Sequence, residues 1–163
     1  MSRYLLRGVL ALLASLLAAC SSFDRHWNDA AQEKGGASRW DGQWKSERNV
    51  YANGAYHHGR LRCVLVPQAD RSLAAHFHAN WLIFSGNYDM TLHPVAGGPR
   101  RREAGKYQGT HDLPAMFGGT YRYQATVEGD RFVTHYTSSY DTGTFDLRRV
   151  PPAKEHADLH AQH

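Results

Sequence analysis

The run TYRYQATVEGDRFVTHY, residues 120–136, decides the fold. Tyr121, Tyr123, Ala125 and Val127 alternate with Thr120, Arg122, Gln124 and Thr126, and Phe132, Thr134 and Tyr136 repeat the pattern after a break at Glu128-Gly129-Asp130. Side chains of a strand point alternately to its two faces, so this is a pair of strands with one apolar and one polar face. The break is turn chemistry. It is too short for a crossover helix, so the two strands pair antiparallel.

The same alternation extends in both directions. Upstream, Trp40, Gly42 and Trp44 alternate with Asp41, Gln43 and Lys45, and Leu61, Cys63 and Leu65 alternate with Arg62, Val64 and Val66. Ala75, Phe77, Ala79, Trp81 and Ile83 alternate with His76, His78, Asn80 and Leu82. Further strands are expected near Tyr88–Val95 and Gly105–His111, and a last one carries Phe145 and Leu147. Turn signals stand between them at Asn53-Gly54, Ser85-Gly86-Asn87, Gly97-Gly98-Pro99, Gly118-Gly119 and Asp141-Thr142-Gly143. Residues 40–150 therefore read as an all-β, antiparallel up-and-down meander of about eight strands. Closure into a small barrel hides the strand edges, and a two-sheet β-sandwich is the alternative.

The N-terminus reads as an address. Arg3 and Arg7 precede an apolar run of leucines that ends in small residues. Leu17-Ala18-Ala19-Cys20 resembles a bacterial lipobox. The resemblance implies that residues 1–19 are a lipoprotein signal peptide and that Cys20 carries the lipid attachment. Ser21, rather than an aspartate, follows the cysteine, which by resemblance to the usual sorting pattern implies the outer membrane, facing the periplasm, in a Gram-negative cell. Several acyl chains would hold the protein firmly to one leaflet, since each buried methylene contributes roughly 0.8 kcal/mol.

Removing residues 1–19 from the 163 leaves 144, and the loss of Arg3 and Arg7 lowers Lys plus Arg from 19 to 17 against 15 Asp plus Glu. The net side-chain charge falls from +4 to +2, too mild to argue for nucleic acid. No second apolar stretch approaches the length of a membrane span. With Cys20 lipidated, Cys63 has no cysteine left to bridge, and its place in an alternating run makes it a buried, inert thiol. Residues 20–39 read as a lipidated tether in which Asp24 to Lys34 form a weak helix, with Trp27, Ala30 and Ala31 partly along one face. Residues 151–163 read as a flexible tail, and its His156, His160 and His163 are read as polar surface.

Gly42-x-Trp44 near the start of the first strand and Arg148-Arg149 at the end of the last resemble the calycin superfamily, which includes lipocalins. The resemblance implies a barrel closed at one end by a tryptophan, with a basic residue packed across it. Carried over, the barrel-closing pair is Trp44 and Arg149. The chain as a whole also resembles small envelope lipoproteins, which implies no activity.

The aromatic residues expected inside are Trp44, Phe77, Trp81, Tyr121, Tyr123, Phe132, Tyr136 and Phe145. They form either a cage for a small apolar ligand or a solid core, and small barrels commonly fill with side chains. His76, His78 and His135 fall on the parity assigned to solvent and read as exposed histidines; no metal and no cofactor is expected. Ser138, Ser139 and Asp141 cluster at a turn without a tied histidine, and no nucleophile elbow occurs, so no catalytic residue is assigned. Arg100, Arg101, Arg102 and Lys106 form a basic loop that suits an anionic lipid or glycan, or a solvated guard against edge pairing. The expected role is a non-catalytic binding or scaffold module. Its partners would be the membrane, through Cys20, and a small apolar ligand or an envelope protein. Two alternatives stand: a protein-inhibitor or assembly lipoprotein that docks on an envelope enzyme, and a hydrolase using the three histidines.

Overall fold

A computed structural model describes residues 22–32, 34–49, 57–81, 84–95, 104–115 and 118–152. Eight antiparallel strands form a closed barrel: β1 (Ser38–Asn49), β2 (His58–Pro67), β3 (Leu73–Trp81), β4 (Phe84–Pro94), β5 (Ala104–Asp112), β6 (Thr120–Glu128), β7 (Arg131–Thr137) and β8 (Asp141–Val150). Each strand pairs with its neighbours in sequence, and β1 closes on β8 from Arg39–Val150 to Asn49–Asp141. The meander is thus a barrel and not a sandwich.

Alternation sets the inside. The burial of β6 and β7 switches at every residue, with Tyr123, Ala125, Val127, Phe132, Thr134 and Tyr136 buried. Glycine is required where strands crowd. A Cβ on Gly42 would collide with the Asp146 carbonyl and lie 2.9 Å from the Leu147 Cα, so β1 packs against β8 only with no side chain there.

One expected turn is elsewhere. Ser85, Gly86 and Asn87 do not form the β3–β4 turn; they lie in β4, opposite Asn80, Ala79 and His78. The register Trp81–Phe84 leaves a two-residue connection at 82–83. The physical reason is that Gly86 sits on the inward parity opposite Ala79, while the Asn87 side chain meets Nδ1 of His78 on the outer face.

The wall is not equally knit throughout. Between β4 and β5 the register consists, among the described residues, of His93–Gln108 and Pro94–Tyr107, extended by the Val95 N–H donating to the Lys106 carbonyl at 2.9 Å. Below this the ladder lapses, and the rings of Tyr88 and His111 stand 5.5 Å apart across the seam.

Residues 22–30 are α-helical, here α1. It is followed by one turn of 3-10 helix at Lys34–Gly36, where Gly35 and Gly36 take φ of 66° and 72°. Positive φ is open to glycine at little cost, and it turns the chain from helix into β1.

Candidate functional site

Trp44, Phe77, Tyr123, Phe132, Tyr136 and Phe145 are buried in one cluster, with Tyr121 and Tyr88 packed against it. Phe77 stacks on Tyr88 at 4.9 Å and meets Phe145 at 5.7 Å, while Tyr136 meets Phe145 at 5.2 Å. These separations are those of touching aromatic pairs. The described aromatics thus fill the barrel with one another. Trp81 ends β3, and its side chain lies outside the described residues.

The upper end is closed by Trp40 rather than Trp44. Trp40 is fully buried, its Nε1 donates to Ser38 Oγ at 2.9 Å, and the Arg149 guanidinium lies 5.4 Å above its ring. Register explains the correction: Trp40 is opposite Arg149, whereas Trp44 is opposite Phe145, four residues further down. Parity alone treats the two tryptophans alike. Trp44 instead lies over Gly59 and donates to the Asn80 carbonyl at 3.1 Å.

The lower end is polar. Asp141 accepts from Ser46 Oγ at 2.6 Å and from the Tyr136 hydroxyl at 3.0 Å, and Ser138 Oγ accepts the Asp141 N–H at 3.0 Å. The Ser138, Ser139 and Asp141 cluster is therefore bound into the turn and barrel end: Ser139 Oγ donates to the Gly118 carbonyl at 3.0 Å. Burial pushes the hydroxyls of Tyr88, Tyr123 and Tyr136 well above the ordinary tyrosine range, and the Asp141 charge adds to this at Tyr123 and Tyr136. Burial likewise raises the Cys63 thiol, so it stays protonated and unreactive.

The outer wall carries the feature that alternation did not indicate. Phe23, Ala30, Ala37 and Val64 form a second buried cluster, with Trp27 and Val66 against it. Phe23, His26, Trp27 and Ala30 recur at helical spacing, so α1 is amphipathic and lays that face on β2 and β3. Phe23 packs on the His78 ring at 5.3 Å, and His26 stacks on His76 at 3.9 Å with the rings 8° from parallel. The Arg62 guanidinium lies 5.1 Å from the Phe23 ring and 5.3 Å from that of Trp27. Beside this contact a cavity of about 200 Å³ is lined by Ser22, Phe23, His26, His76, Asn87 and Asp89, among others.

The histidines are thus sorted by their covers. His76 and His78 occupy the outward parity of β3 as expected, but α1 covers them, which corrects their reading as exposed. The His76 side chain is 18% exposed and its Nδ1 lies 2.9 Å from Oδ1 of Asp89. His135 is exposed on β7, opposite Thr144 of β8, and does not converge with them. Among the described residues no group of three or more His, Cys, Asp or Glu is arranged to hold a metal. Lys106 is exposed on β5, while Arg100, Arg101, Arg102, His156, His160, His163 and Cys20 lie outside the described residues. Among the described residues no helix is long and apolar enough to cross a membrane.

A sequence signal for the covered wall does exist. Val64 and Val66 put apolar side chains on the parity that is otherwise polar, and an outward valine pair asks for something to cover it. Fold and site together define a filled eight-stranded barrel with a helix clasped to its outer wall. Comparison with protein families, with curated proteins and with solved structures finds no match to this chain.

Proposed function

We propose that this chain is a lipid-anchored β-barrel of the bacterial cell envelope, a non-catalytic binding or scaffold module whose working surface is its outer wall. The observation that carries this reading is the position of α1. The described part of the helix starts at residue 22, two residues after the lipobox cysteine, and it is packed on the barrel. Two residues span at most about 7 Å. A lipid on Cys20 would therefore hold the β2–β3 wall close to the membrane and leave the opposite wall, β6–β7, turned away from it. A filled interior fits a scaffold or docking role for an envelope protein better than it fits storage of a ligand.

Labelling cells with a radioactive fatty acid tests the anchor. The wild type takes up label and Cys20→Ala does not; equal labelling of both would overturn the proposal. Sorting to the outer membrane, on the periplasmic side, rests on Ser21 and is tested by membrane fractionation of the same strains.

A second reading, a small apolar ligand, is favoured by the lapsed β4–β5 ladder beside Tyr88 and His111. It predicts saturable quenching of tryptophan fluorescence by hydrophobic dyes or extracted lipids. Absence of saturable change across a broad panel would end it.

A further inference from the structure

Beside its apolar face, α1 meets the barrel through a pair of titratable rings. The His26 and His76 rings are stacked 3.9 Å apart and nearly parallel. The surrounding groups come from every element at the contact. Arg25 and Asp29 lie on α1 itself; His76 and His78 come from β3, and Asp89 from β4 beside His76. From β2, Arg62 covers Phe23 and Trp27, and from β1, Arg39 stands 5.4 Å over Trp27. Two neutral imidazoles stack without penalty. A charge on His26 would stand face to face with the His76 ring at this separation, with Arg25 beside it and Asp89 and Asp29 opposing. The cavity beside the pair gives water and protons a route to it.

We propose that α1 is an acid-released latch: neutral His26, stacked on the His76 ring, holds the helix on the β2–β3 wall, and protonation of His26 frees it. The direction follows from linkage. Burial first, then the charges of His76 and Arg25, hold docked His26 below its ordinary value of 6.5, outweighing Asp89 and Asp29. The released helix therefore binds the proton more readily than the docked one. Docking is at full strength above about pH 6.5 and weakens as pH falls below it. Release uncovers Val64 and Val66. It also converts residues 21–37 into a free segment, whose 17 residues reach up to about 55 Å when extended. An anchored barrel would then move from a fixed, membrane-apposed position to a long tether, while the latch itself operates whether or not Cys20 is lipidated.

Hydrogen exchange on the full chain tests this, with rates corrected for the intrinsic effect of pH. Between about pH 7.5 and about pH 5.5 the amides of residues 24–32 are expected to lose protection several-fold, while those of β6 and β7 keep theirs. His26→Gln should flatten this response, and His135→Gln, a control on the far wall, should leave it as in the wild type. Protection of α1 that is unchanged across this range, or an equal loss in the His26→Gln/His76→Gln double variant, would overturn the latch. If the variants no longer dock α1 at neutral pH, the wild type alone decides. The midpoint of the His26 imidazole carbon shift, followed by NMR, must coincide with the midpoint of α1 exposure, and separate midpoints overturn the proposal.

Discussion

The β2–β3 wall and the β6–β7 wall share one inner grammar and have opposite exteriors. Inside, Leu61, Cys63, Leu65 and Phe77 of the first match Tyr123, Val127, Phe132 and Tyr136 of the second, all buried. Outside, the β6–β7 wall presents Arg122, Gln124, Thr126, Arg131 and His135 to water, and Arg131 pairs with Asp146 at 2.9 Å. The β2–β3 wall presents Val64, Val66, His76 and His78 to α1. The lesson is that alternation reports which residues face the barrel's inside, but what lies against the outside is settled by the identity of the outward residues. On β7 they are Arg131, His135 and Thr137 with a single valine, Val133, whereas on β2 two valines stand together at Val64 and Val66. The interior and the outer contact also respond to opposite chemistry, since the inner tyrosines resist ionisation and His26 of α1 resists protonation.

The largest difference should come from cutting the shared interior. Phe77→Ala removes a ring that touches Tyr88, Phe132 and Phe145. It should cost about 3–5 kcal/mol, read by chemical denaturation. A loss below about 1 kcal/mol would mean that the interior is not the packed core described. Alkali should act on the same interior. Because burial raises Tyr88, Tyr123 and Tyr136, the unfolded chain releases protons that the folded one retains. Stability is therefore unaffected below the ordinary tyrosine value of 10 and falls as pH rises past it. Tyrosinate absorbance should appear together with loss of the barrel's circular dichroism; titration of all nine tyrosines in a folded barrel would contradict this.

A smaller effect is expected from the outer cluster. Trp27→Ala should cost about 1–2 kcal/mol, since Trp27 is only half-buried, and should free α1 while the strands keep their dichroism. If the barrel unfolds along with the helix, the two faces are not separable as described. The smallest change is a gain. The Thr134 hydroxyl is buried with no hydrogen-bond partner among the described residues. Thr134→Val removes that orphan and should raise stability by up to about 1 kcal/mol in the same denaturation assay. A loss of stability would mean that the hydroxyl is satisfied.

Much of the inner grammar was legible from residues alone, because period-two alternation is a local property. Tyr121 through Tyr136 read correctly as two inward-facing strands, and the meander with closure followed from short links. Where two candidates shared one parity, reading was blind to the choice, as at Trp40 and Trp44, which only the β1–β8 register separates. Turn chemistry misled at Ser85-Gly86-Asn87, because Gly86 pairs with Ala79 within the β3–β4 ladder and Asn87 meets His78. The helical pattern over Asp24 to Lys34 is weak for a physical reason: a helical segment of about this length is marginal by itself and gains its stability from the wall it covers. That wall is far away in sequence, and only Val64 and Val66 hinted at it. The lapse of the β4–β5 ladder falls where β5 has Gly105, Gly109 and His111 on its inward parity and, among the described residues, only Tyr107 is buried, a weak apolar alternation that does not by itself indicate a lapse.

The account turns on one contact, the apolar face of α1 against Val64. Phe23 and Trp27 pack there in one cluster with Val64, so their ring currents should displace the Val64 methyl resonances from ordinary positions. We predict that NMR of the full chain at neutral pH shows displaced Val64 methyls with Overhauser contacts to the Phe23 ring, and that Phe23→Ala returns them toward ordinary shifts. Val64 methyls at ordinary shifts in the wild type, with no contact to Phe23, would contradict a helix clasped to the barrel.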